Sequence, residues 1–141
     1  MSRIYWDTML LIYILEGNAS FRGRTEELLA RSRRRGDALF TSCLTMGELV
    51  ASAENSVDHA KMKMLFAAVE EMGFSLLPFD KGAVQTFGRL RGKHKLKVAD
   101  SIHLACAASA GIDLFLTGDK QLLKIDVPGI QFIADFNTSI L

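Results

Sequence analysis

The chain has 141 residues, 49% of them hydrophobic and 23% charged, a makeup that predicts one globular domain over residues 1–141 and excludes a disordered, collagen-like or low-complexity chain. Lys and Arg number 17 against 16 Asp and Glu, a net charge of +1, so bulk charge selects neither nucleic acid nor acidic lipid, and any such partner must be met by local clusters. The two cysteines, Cys43 and Cys106, are too few for a disulfide framework, lack metal-ligand spacing, and read as buried thiols.

The first residues show no signal-peptide pattern, and the apolar run from Met9 to Leu15 is far short of the ~20 residues of a membrane span. The expectation is a cytoplasmic protein with no membrane partner. Ile4-Tyr5-Trp6 is a short β-forming run stopped by Asp7, and reads as a buried strand. Met9 to Leu15 has helical character and ends at Glu16-Gly17-Asn18. Ser20 is the expected cap of a second helix, with Leu28 and Leu29 inward and a row of arginines outward. Ala38 to Ser42 is a second strand. Thr45 to Ala53 follows as helix, with Leu44, Leu49 and Val50 toward the core.

Val57 to Met72 reads as the longest helix, because Met62, Leu65, Phe66 and Val69 recur at spacings of three and four. Phe74 to Leu77 is a third strand, and Asp80 to Leu90 a helix with Val84 and Phe87 inward. Val98 to Ala110 is an alanine-rich helix closed by Gly111. Asp113 to Thr117 is a fourth strand, Asp119 to Leu123 a short helix, and Ile130 to Ile133 a fifth strand. Strands alternating with helices predict an α/β fold with a mostly parallel sheet and helices on both faces.

In open parallel sheets ligands bind beyond the carboxyl ends of the strands. Asp7 directly follows the first strand, Asp119 follows the fourth just past Thr117, and Glu48 lies one turn into the helix after the second. Asp100 opens the helix leading into the fourth strand. Each acid sits among apolar neighbours, whereas solvated acids normally keep polar company. Two carboxylates brought to ~4 Å repel by roughly 4 kcal/mol at an effective dielectric near 20. A hard divalent cation offsets that repulsion, and Mg²⁺ or Mn²⁺ accepts oxygen ligands with water in the remaining positions. Such a site suits phosphodiester hydrolysis. Each acid taken singly also has a plainer reading. Asp7 and Asp119 could be helix N-caps, Asp100 could favour a helix dipole, and Glu48 could face solvent. The inference rests on their joint placement.

At these positions the chain resembles the PIN-domain family and, by its small size, the VapC-like toxins of prokaryotic toxin–antitoxin pairs. The resemblance is carried by Ile4-Tyr5-Trp6-Asp7-Thr8 with the apolar helix after it, and by Thr45-Met46-Gly47-Glu48-Leu49. It continues through Lys97-Val98-Ala99-Asp100-Ser101-Ile102-His103-Leu104-Ala105 and Leu116-Thr117-Gly118-Asp119-Lys120. It implies a three-layer α/β/α sandwich with a mostly parallel sheet of about five strands. It also implies a Mg²⁺-dependent endoribonuclease, with Mn²⁺ as a substitute. The catalytic, metal-holding cluster would be Asp7, Glu48, Asp100 and Asp119, supported by the Thr117 hydroxyl. A homodimer and a cognate antitoxin are implied as partners. The chain departs from the family in two places. Many members carry a further acid shortly after the last one, where this chain has Gln121 and Leu122. His103 stands one turn after Asp100, where the family does not demand histidine.

Two basic clusters could meet RNA phosphates. Arg22, Arg24 and Arg31 to Arg35 are diluted by Glu26 and Glu27, and read as a solvated face or an acidic partner's contact. Arg91, Lys93, Lys95 and Lys97 contain no acid and run into Asp100, so they are the candidate RNA-binding residues. His59, His94 and His103 show no zinc spacing, and His103 reads as a core residue or one that supports the acids from behind. Met62, Met64, Met72 and Phe66 read as core or interface packing.

A haloacid-dehalogenase-like site would need an acid two residues after Asp7, where Met9 stands. A receiver domain would need paired acids after the first strand. The remaining alternative is a non-cleaving nucleic-acid-binding or scaffold module on the same fold.

Overall fold

A computed structural model describes residues 1–52, 59–138 and 141. The chain alternates strands and helices: β1 (Arg3–Trp6), α1 (Thr8–Glu16), α2 (Arg22–Arg35), β2 (Ala38–Ser42), α3 (Cys43–Ser52) and α4 (His59–Glu71). It continues with β3 (Phe74–Leu77), α5 (Lys81–Gly92), α6 (Val98–Ala110), β4 (Ile112–Thr117), a 3-10 turn (Leu122–Lys124) and β5 (Ile130–Asp135). The expected helix starts at Val57 and ends at Ala53 lie outside the described residues.

The strands form one all-parallel sheet in the order β3-β2-β1-β4-β5. Side chains alternate across it, as a period of two requires. Ile4 and Trp6 of β1 and Leu114 and Leu116 of β4 enter one core with Leu10, Leu28, Met46, Leu49 and Val69 from α1 to α4. Tyr5 and Phe115 enter the other with Leu90 of α5 and Leu104 and Ala107 of α6. Two helical layers therefore sandwich the sheet, in a three-layer α/β/α fold. Two glycines permit tight joins. Gly111, at φ +69°, turns α6 straight into β4, and Gly129, at φ +102°, brings the loop before β5 so close to α6 that a Cβ would lie 2.5 Å from the Ala108 carbonyl oxygen.

Several local expectations are corrected. Ser20 does not cap α2: the Asn18 side chain accepts from the backbone N–H groups of Ser20 and Phe21, and the helix begins without a side-chain cap. Val84 is 55% exposed, and Ala83 and Leu90 hold α5 to the core while Phe87 is half-buried against Phe79. The turn after Asp119 is 3-10 and begins at Leu122, since Asp119 Oδ1 accepts from Gln121 N and keeps the chain in a turn. Cys43 is exposed at the start of α3, while Cys106 is buried, which pushes its thiol up to about 11. Among the described residues no helix is long and apolar enough to cross a membrane.

Candidate functional site

The chain lays β1, β2 and β3 outward in one direction, then returns over the opposite face through α5 and α6 to place β4 on the free side of β1. The strand order thus reverses between β1 and β4, and the crevice beyond their carboxyl ends is where such sheets bind ligands. A cleft of about 360 Å³ lies there, lined by Asp7, Thr8, Glu48, Asp100, His103 and Asp119, with Met9 and Ile12 on its apolar wall. All four acids expected from the sequence line it, although they arrive from four separate elements.

Asp7 ends β1 and also caps α1: its Oδ1 accepts from Thr8 N at 2.8 Å. Its Oδ2 accepts from the Thr117 hydroxyl at 2.8 Å, and Thr117 Oγ1 in turn accepts from Asp119 N at 3.1 Å. The cap reading and the cluster reading of Asp7 are therefore both realised in one carboxylate. Thr117 is buried and stands behind Asp7, tying the ends of β1 and β4 together. Asp7 N donates to Leu116 O at 3.0 Å and completes that join.

Glu48 reaches in from α3. Its Oε1 takes the Thr8 hydroxyl at 2.7 Å and lies 2.7 Å from His103 Nε2. The hydrogen bond from His103, helped by the one from Thr8, holds the Glu48 carboxyl below the ordinary glutamate range in spite of partial burial. Asp100, in the first turn of α6, is treated oppositely. Burial, then the charges of Asp7 and Asp119, raise its proton affinity, while His103 and Lys97 partly offset the rise. Asp100 thus lies near enough to Asp7 and Asp119 to feel their charge.

The donor set is four carboxylates, with no thiolate and with both nitrogens of the only imidazole already engaged by Glu48 and Tyr5. Such a set fits a hard, oxygen-seeking cation better than zinc. Among the described residues the acids do not converge into a ready-made cluster of three ligands. Mg²⁺ does not require such a cluster, since it keeps several waters and is commonly held by one or two carboxylates plus a substrate phosphate.

His103 is both buried and bonded to Glu48, so the two readings given for it from the sequence coincide. Tyr5, Thr8 and Thr45 stand in the motifs but carry no role read from the sequence, whereas Thr45 Oγ1 links Thr8 (3.2 Å) to Thr41 (2.7 Å) beneath the cleft. For Tyr5 a signal existed: a strand's period of two sends its ring to the α6 side, away from Ile4 and Trp6.

The basic residues separate into two groups. Lys97 is the N-cap of α6, so its charge reaches Asp100. Lys93 and Lys95 are exposed in the loop before it, and Arg91 is tied down by donating to Leu96 O at 2.7 Å. None of the four lines the cleft. The α2 arginines mostly serve the fold. Arg24 donates to the Phe136 and Thr138 carbonyls, Arg31 to that of Leu141, Arg33 to that of Met72, and Arg35 pairs with Asp37. These contacts favour the structural reading of that cluster over a partner's acidic surface.

Comparison with known proteins gives consistent results. A family model described as "PIN domain" matches residues 4–128. A toxin–antitoxin complex from Klebsiella pneumoniae contains a chain 21% identical, with a TM-score of 0.64 over 90% of this chain and 94% of that one. VapBC from Salmonella typhimurium, solved bound to DNA, gives 22% identity and a TM-score of 0.69 over 96% and 99%. VapBC2 from Rickettsia felis, bound to a promoter DNA fragment, gives 14% and 0.69 over 94% and 97%. No curated protein matches in sequence.

Proposed function

The chain belongs to the PIN domain family, and from that premise we propose that it is a metal-dependent endoribonuclease, the VapC-like toxin of a toxin–antitoxin pair. The observation that carries the reading is that Asp7, Glu48, Asp100 and Asp119 all line one cleft at the switch point of the sheet, where Asp100 feels the charges of Asp7 and Asp119. Acids held together against their own repulsion are the preparation a divalent cation requires.

In this reading Asp7, Glu48, Asp100 and Asp119 hold Mg²⁺ or Mn²⁺. When bound, the cation would activate a water and stabilise charge on the phosphate being cut. The rest follows from the chain's own groups. Thr117 donates to Asp7 and keeps its second oxygen from swinging away. Thr8 and His103 do the same for Glu48. Asp100, partly buried and facing the charges of Asp7 and Asp119, binds a proton more readily than an ordinary aspartate. Lys93, Lys95 and Lys97, with Arg91 stiffening their loop, would meet the RNA backbone beside Asp100 and raise its local concentration.

An antitoxin partner is supported by the folds of the VapBC neighbours. Apolar surface on α4, where Met64 is 71% exposed beside half-buried Met62, suits that contact or a homodimer. The site of action would be the cytoplasm, where RNA is met.

The test is cleavage of RNA by the purified chain. Mg²⁺ should support it, chelation should stop it, and Asp7→Asn should abolish it. Cleavage that survives chelation, or that Asp7→Asn leaves near the parent rate, would overturn the assignment. A folded, RNA-binding chain that never cuts with either metal would favour the scaffold alternative.

A further inference from the structure

Behind the acid cleft, the contact from His103 to Glu48 continues into a buried chain of side chains. Tyr5 is fully buried, with its ring stacked on Phe115 at 4.8 Å and 7°, which fixes where its hydroxyl points. That hydroxyl lies 2.6 Å from His103 Nδ1, and Ser42 Oγ lies 3.4 Å from the same nitrogen. On the other side of the ring, Nε2 lies 2.7 Å from Glu48 Oε1, 3.1 Å from Thr8 Oγ1 and 3.7 Å from Asp7 Oδ1. His103 is 2% exposed.

The donors and acceptors fix the Glu48 end of this chain. A carboxylate only accepts, so Nε2 carries the hydrogen and donates to Glu48. Nδ1 then meets the Tyr5 hydroxyl, which can donate to it or accept from it, so the contact to Glu48 is the same whichever way that bond runs. Glu48 has three side-chain torsions and its side chain is 37% exposed, so without this support it would sample solvent-facing rotamers.

We infer that Tyr5 and His103 are positioning residues, a buried relay that sets the Glu48 carboxylate, and through it the Asp7 side of the cleft, to receive a divalent cation. The inference rests on the metal-site reading given above. A histidine that merely fills core could satisfy its nitrogens on backbone. This one joins a strand tyrosine on one face of the sheet to a cleft acid contributed from the other, across the edge where the cation would sit. Groups that orient metal ligands from behind are typically worth roughly 10–100-fold in metal affinity.

Calorimetric titration with Mn²⁺ tests this on four forms of the full chain: wild type, Tyr5→Phe, His103→Gln and His103→Leu. Circular dichroism and melting check each fold. His103→Leu should weaken Mn²⁺ binding by roughly 10–100-fold. Tyr5→Phe, which keeps the stacked ring, should give a smaller loss. His103→Gln keeps a donor for Glu48 and should recover much of the affinity, which a purely space-filling role would not explain. If His103→Leu does not fold, Tyr5→Phe still decides. Wild-type affinity in the folded variants would overturn the inference alone. Absence of Mn²⁺ binding by the wild-type chain would overturn the metal-site reading and this inference with it.

Discussion

The two sides of the acid cleft are prepared in opposite ways. On the α3 side, Glu48 is held by donors from Thr8 and His103 and loses protons more readily than a free glutamate. On the α6 side, Asp100 is held by no such donors among the described residues, is partly desolvated, and feels Asp7 and Asp119. One half is wired by hydrogen bonds that favour charge, and the other stores repulsion. Asp7 belongs to both, since it lies 3.7 Å from His103 and is fastened to Thr117 at the β4 end. Carboxylates in a shared cleft therefore need not be equivalent, and their differences can be separated by substitution.

The largest expected effect is at the shared member. Asp7→Asn should lower the rate of RNA cleavage by at least roughly 10²–10³-fold, the scale seen when one group that stabilises developing charge is lost. Its melting temperature without metal should change little, because the amide oxygen can still accept one of the two hydrogen bonds. A large fall in melting temperature would instead assign Asp7 chiefly to capping.

Asp100→Asn and Glu48→Gln should divide the cleft by sign. Without metal, Asp100→Asn should raise the melting temperature, since it removes a crowded charge, and Glu48→Gln should lower it, since it weakens charge-assisted bonds. Both groups are substantially solvated, so each effect should stay below about 1 kcal/mol. Equal signs would erase the contrast between the two sides.

The pH dependence sharpens the same contrast. Glu48 has a folded-state pKa below its ordinary 4.5, so its contribution is complete above that value and fades as pH falls through the lower one. Asp100 has a folded-state pKa above its ordinary 3.8, so its ionised form destabilises the fold at neutral pH. That penalty is released as pH falls from the raised value toward 3.8. Denaturation of the metal-free chain should show Asp100→Asn removing the mild gain on acidification and Glu48→Gln removing part of the loss below pH 4.5. The smallest effect lies outside the cleft. Changing Lys93 and Lys95 to Ala should weaken RNA binding and flatten its salt dependence by about 0.7 per lysine lost. An unchanged slope would remove that loop from the RNA surface.

Much of the fold was legible because α/β proteins announce themselves locally. Short β-forming runs alternate with helical periodicity, and glycines mark the exits. The places of Asp7 and Asp119 in the cleft were legible because each directly follows a strand, so a parallel sheet alone brings them to one edge. Glu48 and Asp100 needed the family resemblance as well, because the inward side of a helix near its start is less certain. The relay through Tyr5 and His103 was not legible. Its partners are 98 residues apart on different elements, and nothing in their local sequence states that they meet. Ser20 misled because a capping residue type was present while Asn18, two positions earlier, had the better reach. The arginines of α2 misled because a charge run shows no destination, and their carbonyl acceptors lie mostly near the far end of the chain.

The most direct measurement is anomalous scattering from a crystal grown with manganese. The expected result is a strong peak in the cleft between β1 and β4, within ligand distance of Asp7 and at least one of Glu48, Asp100 and Asp119. A cleft without such a peak, with the four side chains turned away from one another, would contradict the proposal that these acids form a single cation-dependent centre.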